Sequence, residues 1–140
     1  MKKIYTLLMV ALTAVLMFTA CGNEPAEPQD TRVTLIRNWE CTAATILTDG
    51  EETPSNYLIG TLFVINGDGT ALMNDEQCSY DYNESDSTIV LHWDLNGEQW
   101  DEPIKVLSLT STELKTYEKI VLDDATGHNN ELFMTYTRKQ

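Results

Sequence analysis

The sequence predicts an all-β domain, a single small antiparallel up-and-down β-barrel of about eight strands. Three observations predict it. From Leu35 onward the chain is a succession of short apolar or alternating runs, each stopped by Gly, Asn, Asp, Ser or Pro. The connections between runs are short. No segment after Cys21 carries a sustained helical period of apolar residues. A meander has to dispose of its two edges, and closing on itself does so completely. A β-sandwich is the alternative; the short connections disfavour it, because sandwiches commonly need longer crossovers.

The elements follow in order. Leu35 to Leu47 is the first strand, with Leu35, Trp39, Cys41 and Ala43 on one parity. Thr48 to Asn56, holding Gly50, Glu51, Glu52 and Pro54, reads as a polar loop. Leu58 to Ile65 is apolar on both parities at Leu62-Phe63-Val64-Ile65, and Asn66-Gly67-Asp68-Gly69 is a hairpin signal, since Gly and Asn tolerate positive φ. Thr70 to Asn74 is a short return strand. Cys78, Tyr80 and Tyr82 then alternate with Ser79, Asp81 and Asn83. Ser87 to Leu95 puts Ile89, Leu91, Trp93 and Leu95 on one face, and Asn96-Gly97 turns the chain again. Glu102 to Leu109, Glu113 to Leu122 and Glu131 to Arg138 complete the set, with a polar loop from Asp123 to Asn130.

Ahead of the barrel lie two segments of different character. Lys2 and Lys3 open the chain, Ile4 to Thr19 is an apolar run without a charge, and Phe18-Thr19-Ala20-Cys21 follows. The run is shorter than the roughly twenty residues a bilayer-spanning helix needs, which favours a removed segment over a retained anchor. It resembles the signal peptide and lipobox of a bacterial lipoprotein. The resemblance implies a signal peptide over residues 1–20, lipidation at Cys21, and, with Gly22 rather than Asp next, an outer membrane destination facing the periplasm or the cell surface. Residues 21–34 form a tether: Gly22 to Thr31 has two Pro and three acidic residues and too little apolar area to offset ordering entropy.

Residues 35–140 are enough for one domain and one core. From Cys21 onward seven basic residues face twenty-two acidic ones, a formal charge of −15. Such a surface repels nucleic acid, which is excluded as a partner. Cys41 and Cys78 leave a disulfide open, because an exported chain meets oxidising conditions; the competing reading is two buried free thiols, since the strands carrying them are not neighbours.

Catalysis finds little support. His92 and His128 are the only histidines. Three converging protein ligands are needed for a zinc enzyme site, and no nucleophile elbow or His-Glu-x-x-His helix is present. His92 is expected to face solvent from its strand, and His128 lies in a polar loop. The acidic turn Asp81 to Asp86 lacks the central Gly and closing Glu of a calcium loop. No metal, cofactor or enzymatic activity is implied. The aromatics are the more informative set: Trp39, Tyr80, Tyr82, Trp93 and Tyr136 share parities with aliphatic residues, so they are expected to point inward, either filling a core or lining a ligand pocket.

Leu35 through Trp39, the hairpin Phe63-Val64-Ile65-Asn66-Gly67-Asp68-Gly69-Thr70, and the Ile104 to Leu114 run together resemble the lipocalin-like domains of exported lipoproteins of Bacteroides-type bacteria. The resemblance implies a lipid-anchored cell envelope protein that binds a small, partly apolar, hydrophobic ligand inside the barrel. It also implies that the Thr48 to Asn56 connection covers the open end. The alternative function is a protein-interaction or inhibitor module with a solid core, using Leu62 to Ile65 as an exposed patch for an envelope protein.

Overall fold

In the described residues, 34–120 and 130–140 of a computed structural model, the alternating runs form nine strands. They are β1 (Asn38–Thr48), β2 (Glu51–Pro54), β3 (Leu62–Ile65), β4 (Thr70–Met73), β5 (Glu76–Asn83), β6 (Thr88–Leu95), β7 (Glu98–Leu109), β8 (Glu113–Ile120) and β9 (Asn130–Arg138). From β3 to β9 each strand pairs antiparallel with the next, and β9 returns to β1 along nearly its whole length, from Trp39 opposite Arg138 to Thr48 opposite Asn130. The sheet is therefore closed, which removes the sandwich alternative. β2 and β3 share one edge of β1: β2 pairs with Thr45–Thr48 and β3 with Asn38–Glu40. The two occupy one position, so the ring has eight.

β2 corrects the reading of Thr48 to Asn56 as a loop or cover. All four of its residues are exposed, so burial does not drive it. A two-residue turn does: Asp49 (φ 50) and Gly50 (φ 91) adopt the positive φ pair whose twist matches a hairpin. The same device recurs at Asn74-Asp75 and Asn96-Gly97. Ser55 N–H then bonds the Ala44 carbonyl at 2.9 Å, tying the segment down. Leu62 to Ile65 is likewise no exposed patch. Phe63 and Ile65 are buried, and Leu62 and Val64 are half-buried.

Two register shifts set which side chains reach the interior. One falls between Cys41 and Ala43 on the β1–β9 ladder. The bulge flips the parity, so Ala44 is buried where alternation alone places Ala43. The other lies between Val106 and Ser108 and turns Leu107 outward.

The two ends of the ring differ. At the end where β1 begins, Leu35, Trp39, Phe63, Ile65, Ile89, Leu91, Ile104, Leu114 and Tyr136 are almost wholly excluded from solvent. Leu35, in a helical turn just ahead of β1, plugs this end. The Phe63 and Tyr136 rings meet there with centroids 6.0 Å apart. Burying each large apolar side chain contributes about 1.5–3 kcal/mol, so stability concentrates here. At the opposite end Ile46, Leu58, Met73, Leu95 and Ile120 are only partly buried against the core. That end is open.

Candidate functional site

The site assembles at the open end from β6, β7 and β8. The Asn96-Gly97 turn sets Trp93 directly opposite Trp100. Their rings stack at 5.9 Å with 20° between planes. Trp93 is buried and Trp100 is 43% exposed, so the pair forms a wall with one wet edge. Trp93 Nε1 donates to Glu102 Oε2 at 2.5 Å. Glu102 shares its strand face with the buried Ile104 and Val106, and Glu118 shares its face with the buried Leu114 and Thr116. Both carboxyls thus sit on the inward parity of their strands, where apolar residues are the rule.

The pair is electrostatically unusual. Burial is the largest cause pushing the Glu118 carboxyl well above its ordinary value, and the hydrogen bond to Glu102 and the charge of Glu102 add to it. Its retained proton lets Glu118 donate to Glu102. Glu102 also pushes Cys78 upward, and both carboxylates act on Tyr136, whose hydroxyl is raised first by its own burial. The carboxyls therefore act on the interior rather than on the outer surface. Two residues from Glu118 on the same strand face, Thr116 is 1% exposed and its Oγ1 has no hydrogen-bond partner among the described residues. A buried hydroxyl without a partner costs on the order of 1–3 kcal/mol.

Access comes from a fork in the sheet. β7 pairs with β6 from Glu98 to Lys105, but its ladder with β8 begins only at Lys105 opposite Tyr117. Above that point β8 pairs with β9 alone among the described strands. Pro103, which has no N–H to give a ladder, stands in the unzipped stretch of β7. A cleft of about 470 Å³ opens between the two strands, lined by Trp100, Asp101, Glu102, Pro103, Glu118, Lys119 and Ile120.

Of the aromatics singled out in the sequence, all five lie on the inward faces, but they are not brought together at the cleft. Trp39 and Tyr136 are fully buried at the packed end, where Trp39 Nε1 donates to the Leu35 carbonyl at 3.0 Å and the Tyr136 hydroxyl lies 3.3 Å from Met134 Sδ. Tyr80 donates to the Asn66 carbonyl at 2.8 Å, and Tyr82 packs against the core edge on the same strand. Only Trp93 reaches the open end. Cys41 and Cys78 are free and buried, and no disulfide joins them, because β3 and β4 separate their strands in the ring. His92 faces outward between Asp101 and Asp81. No group of His, Cys, Asp and Glu that could hold a metal ion occurs among the described residues. Cys21 and His128 lie outside the described residues.

Sequence reasoning missed Glu102, Glu118, Thr116 and Trp100. The signal was present as polar residues on an apolar parity: Glu102-Ile104-Val106 on β7 and Leu114-Thr116-Glu118-Ile120 on β8.

No family model matches the chain, and no curated protein matches it. A solved structure of a bovine odorant binding protein, a deswapped triple mutant, is similar at 16% identity over 73% of each chain, with a TM-score of 0.35. The architecture stands on the strand pairing described above.

Proposed function

We propose that this chain is a non-catalytic, lipid-anchored protein of the cell envelope that takes up a small, partly apolar molecule at the open end of its barrel, through the fork between β7 and β8. The observation that carries the reading is the fork itself, whose lining includes two inward polar groups, Glu102 and Glu118, set in a mainly apolar interior. Ligand pockets have this composition, a mainly apolar lining with a few placed polar groups that fix orientation. The packed end supplies the rigid floor. Lys2-Lys3, the Ile4 to Thr19 run and Phe18-Thr19-Ala20-Cys21 support the anchor, and Gly22 supports the outer membrane. Several acyl chains on Cys21 would hold the protein durably with no membrane-binding surface of its own.

The test uses the full chain in phosphatidylcholine nanodiscs, with empty nanodiscs as the blank, and a neutral probe, dodecanol. Saturable quenching of Trp fluorescence, lost when Trp93 and Trp100 are replaced by Phe, supports uptake at the open end. Absence of saturable binding by dodecanol and by its charged counterparts overturns it. Incorporation of labelled palmitate that disappears in Cys21→Ser checks the anchor.

A second reading, docking to an envelope protein, is favoured by Tyr57 at 94% and Ile59 at 48% exposure, close together in the β2–β3 connection. A pull-down from envelope extract that is lost in Tyr57→Ser and kept in Glu118→Gln would support it.

A further inference from the structure

Resting on the uptake reading above, the charge inside the fork narrows the ligand class. Glu102 and Glu118 lie on inward strand faces, and no ion pair joins either of them to Lys or Arg among the described residues. The titratable groups that interact with the pair from the surrounding strands are Cys78 on β5 and Tyr136 on β9. Each of these is neutral or negative in every protonation state. Among the described residues lining the cleft, the one cationic side chain, Lys119, lies on the opposite parity of β8 from Glu118 and pairs across the ladder with Glu131. Among the described residues, the interior therefore carries a negative group with no cation paired to it.

Two further features bear on what would supply that cation. Thr116 Oγ1, buried on the same face of β8 and about 7 Å along the strand from Glu118, is an acceptor without a donor among the described residues. The Trp93–Trp100 stack stands on the other side of Glu102, with the Trp93 indole fixed by its bond to that carboxylate. Aromatic faces beside a carboxylate attract organic cations. No group of His, Cys, Asp and Glu that could hold a metal ion occurs among the described residues, and an anion would meet like charge.

We propose that the fork binds a monovalent amphipathic amine, its ammonium held between the Glu102 and Glu118 carboxyls with Thr116 Oγ1 as a further acceptor, and its apolar body against the Trp93–Trp100 wall and the half-buried rim. The ammonium donates its N–H bonds to oxygens that otherwise share a proton or lack a donor. On binding, the proton that Glu118 holds against Glu102 leaves to solvent, since a second negative charge in the pair is then compensated.

The test compares dodecylammonium, dodecanol and dodecanoate, equal in tail, on the full chain in phosphatidylcholine nanodiscs by calorimetry against empty nanodiscs. Dodecylammonium is expected to bind at least about tenfold more tightly than either of the others. Its binding near neutral pH is expected to release on the order of one proton, read from the dependence of the heat on buffer ionisation. Glu102→Gln and Glu118→Gln, which keep size and hydrogen bonding, are expected to remove the amine preference, read as the ratio of dodecylammonium to dodecanol affinity. Thr116→Val, isosteric, is expected to weaken the amine alone by several-fold, on the order of one hydrogen bond. Equal affinity for the three probes, preference for dodecanoate, or an amine preference that survives both Glu→Gln changes overturns the amine inference while leaving the uptake reading in place. Binding of none of the three overturns both.

Discussion

The indole N–H of Trp39 donates to the backbone carbonyl of Leu35 at 3.0 Å, and both residues are fully excluded from solvent at the packed end of the barrel. The bond links the turn that plugs the ring to the first strand of the ring. Without it, a carbonyl facing the core would have neither water nor a donor.

Trp39→Phe tests that link. The smaller ring keeps most of the apolar fill but strands the Leu35 carbonyl and leaves a void. The expected loss is about 2–4 kcal/mol, from an unpaired buried acceptor plus a partial cavity. Urea denaturation of the purified chain measures it. A loss below about 0.5 kcal/mol, the scale of an ordinary surface change, would mean that the turn does not depend on the indole.

The packed end was legible in the sequence because its residues obey one rule. Ile89 and Leu91 share one parity of β6 and are buried while Val90 and His92 on the other are half-buried, and the Asn66 to Gly69 turn sits where Gly and Asn mark it. β2 was not legible, because Glu51-Glu52-Thr53-Pro54 has no apolar residue and pairs through its turn and backbone rather than through burial. The bulge at Cys41–Ala43 has no sequence mark of its own, so Ala43 took the place that belongs to Ala44. The carboxyls of the fork were hidden by a sound expectation, that Glu is almost never buried without a partner. Here the partner is another Glu that shares its proton.

His92 gives a pH-dependent contact on the outer face. Its Nδ1 lies 2.7 Å from Asp101 Oδ1 and its Nε2 lies 3.1 Å from Asp81 Oδ2, so the imidazolium donates to both. The bond to Asp101 first, then the bond to Asp81, raise its pKa above 6.5. The stabilisation is fully present below the unfolded value and is lost as pH rises through the folded one. NMR titration of the ring should give a pKa above 6.5, lowered more by Asp101→Asn than by Asp81→Asn. A value at or below 6.5 in the unaltered chain would show that the bridges do not persist in solution.

Glu118 produces a slope in a different window. Burial first, then its bond to Glu102 and the charge there, push its pKa from 4.5 up to about 8. The folded chain therefore keeps a proton that the unfolded chain has lost, and stability falls as pH rises between these values and flattens above them. Each pH unit inside the window costs at most about 1.4 kcal/mol from this group. Glu118→Gln should remove the slope and be the more stable protein above pH 8. Urea midpoints at pH 5 and pH 8.5 decide it, and an unchanged slope in the variant would place the proton elsewhere.

The thiols follow from the same interior. Cys78 is pushed up to about 11, by burial and then by the charge of Glu102, and Cys41 is raised by burial, with a smaller opposing effect from a backbone hydrogen bond at Ala43. Only the thiolate is nucleophilic, so both sulfurs should stay inert at neutral pH while the barrel is closed. With β3 and β4 between their strands, they should also fail to pair under oxidising conditions. Iodoacetamide at pH 8 should label Cys41 and Cys78 in the native chain at least about a hundredfold more slowly than in urea, since the reagent must wait for an opening that costs several kcal/mol. Mass mapping after diamide treatment should return both as free thiols. Rapid labelling of Cys78 alone would instead mean that the fork breathes wide enough to admit solvent down to β5, and the open end would then be more mobile than its half-buried rim implies.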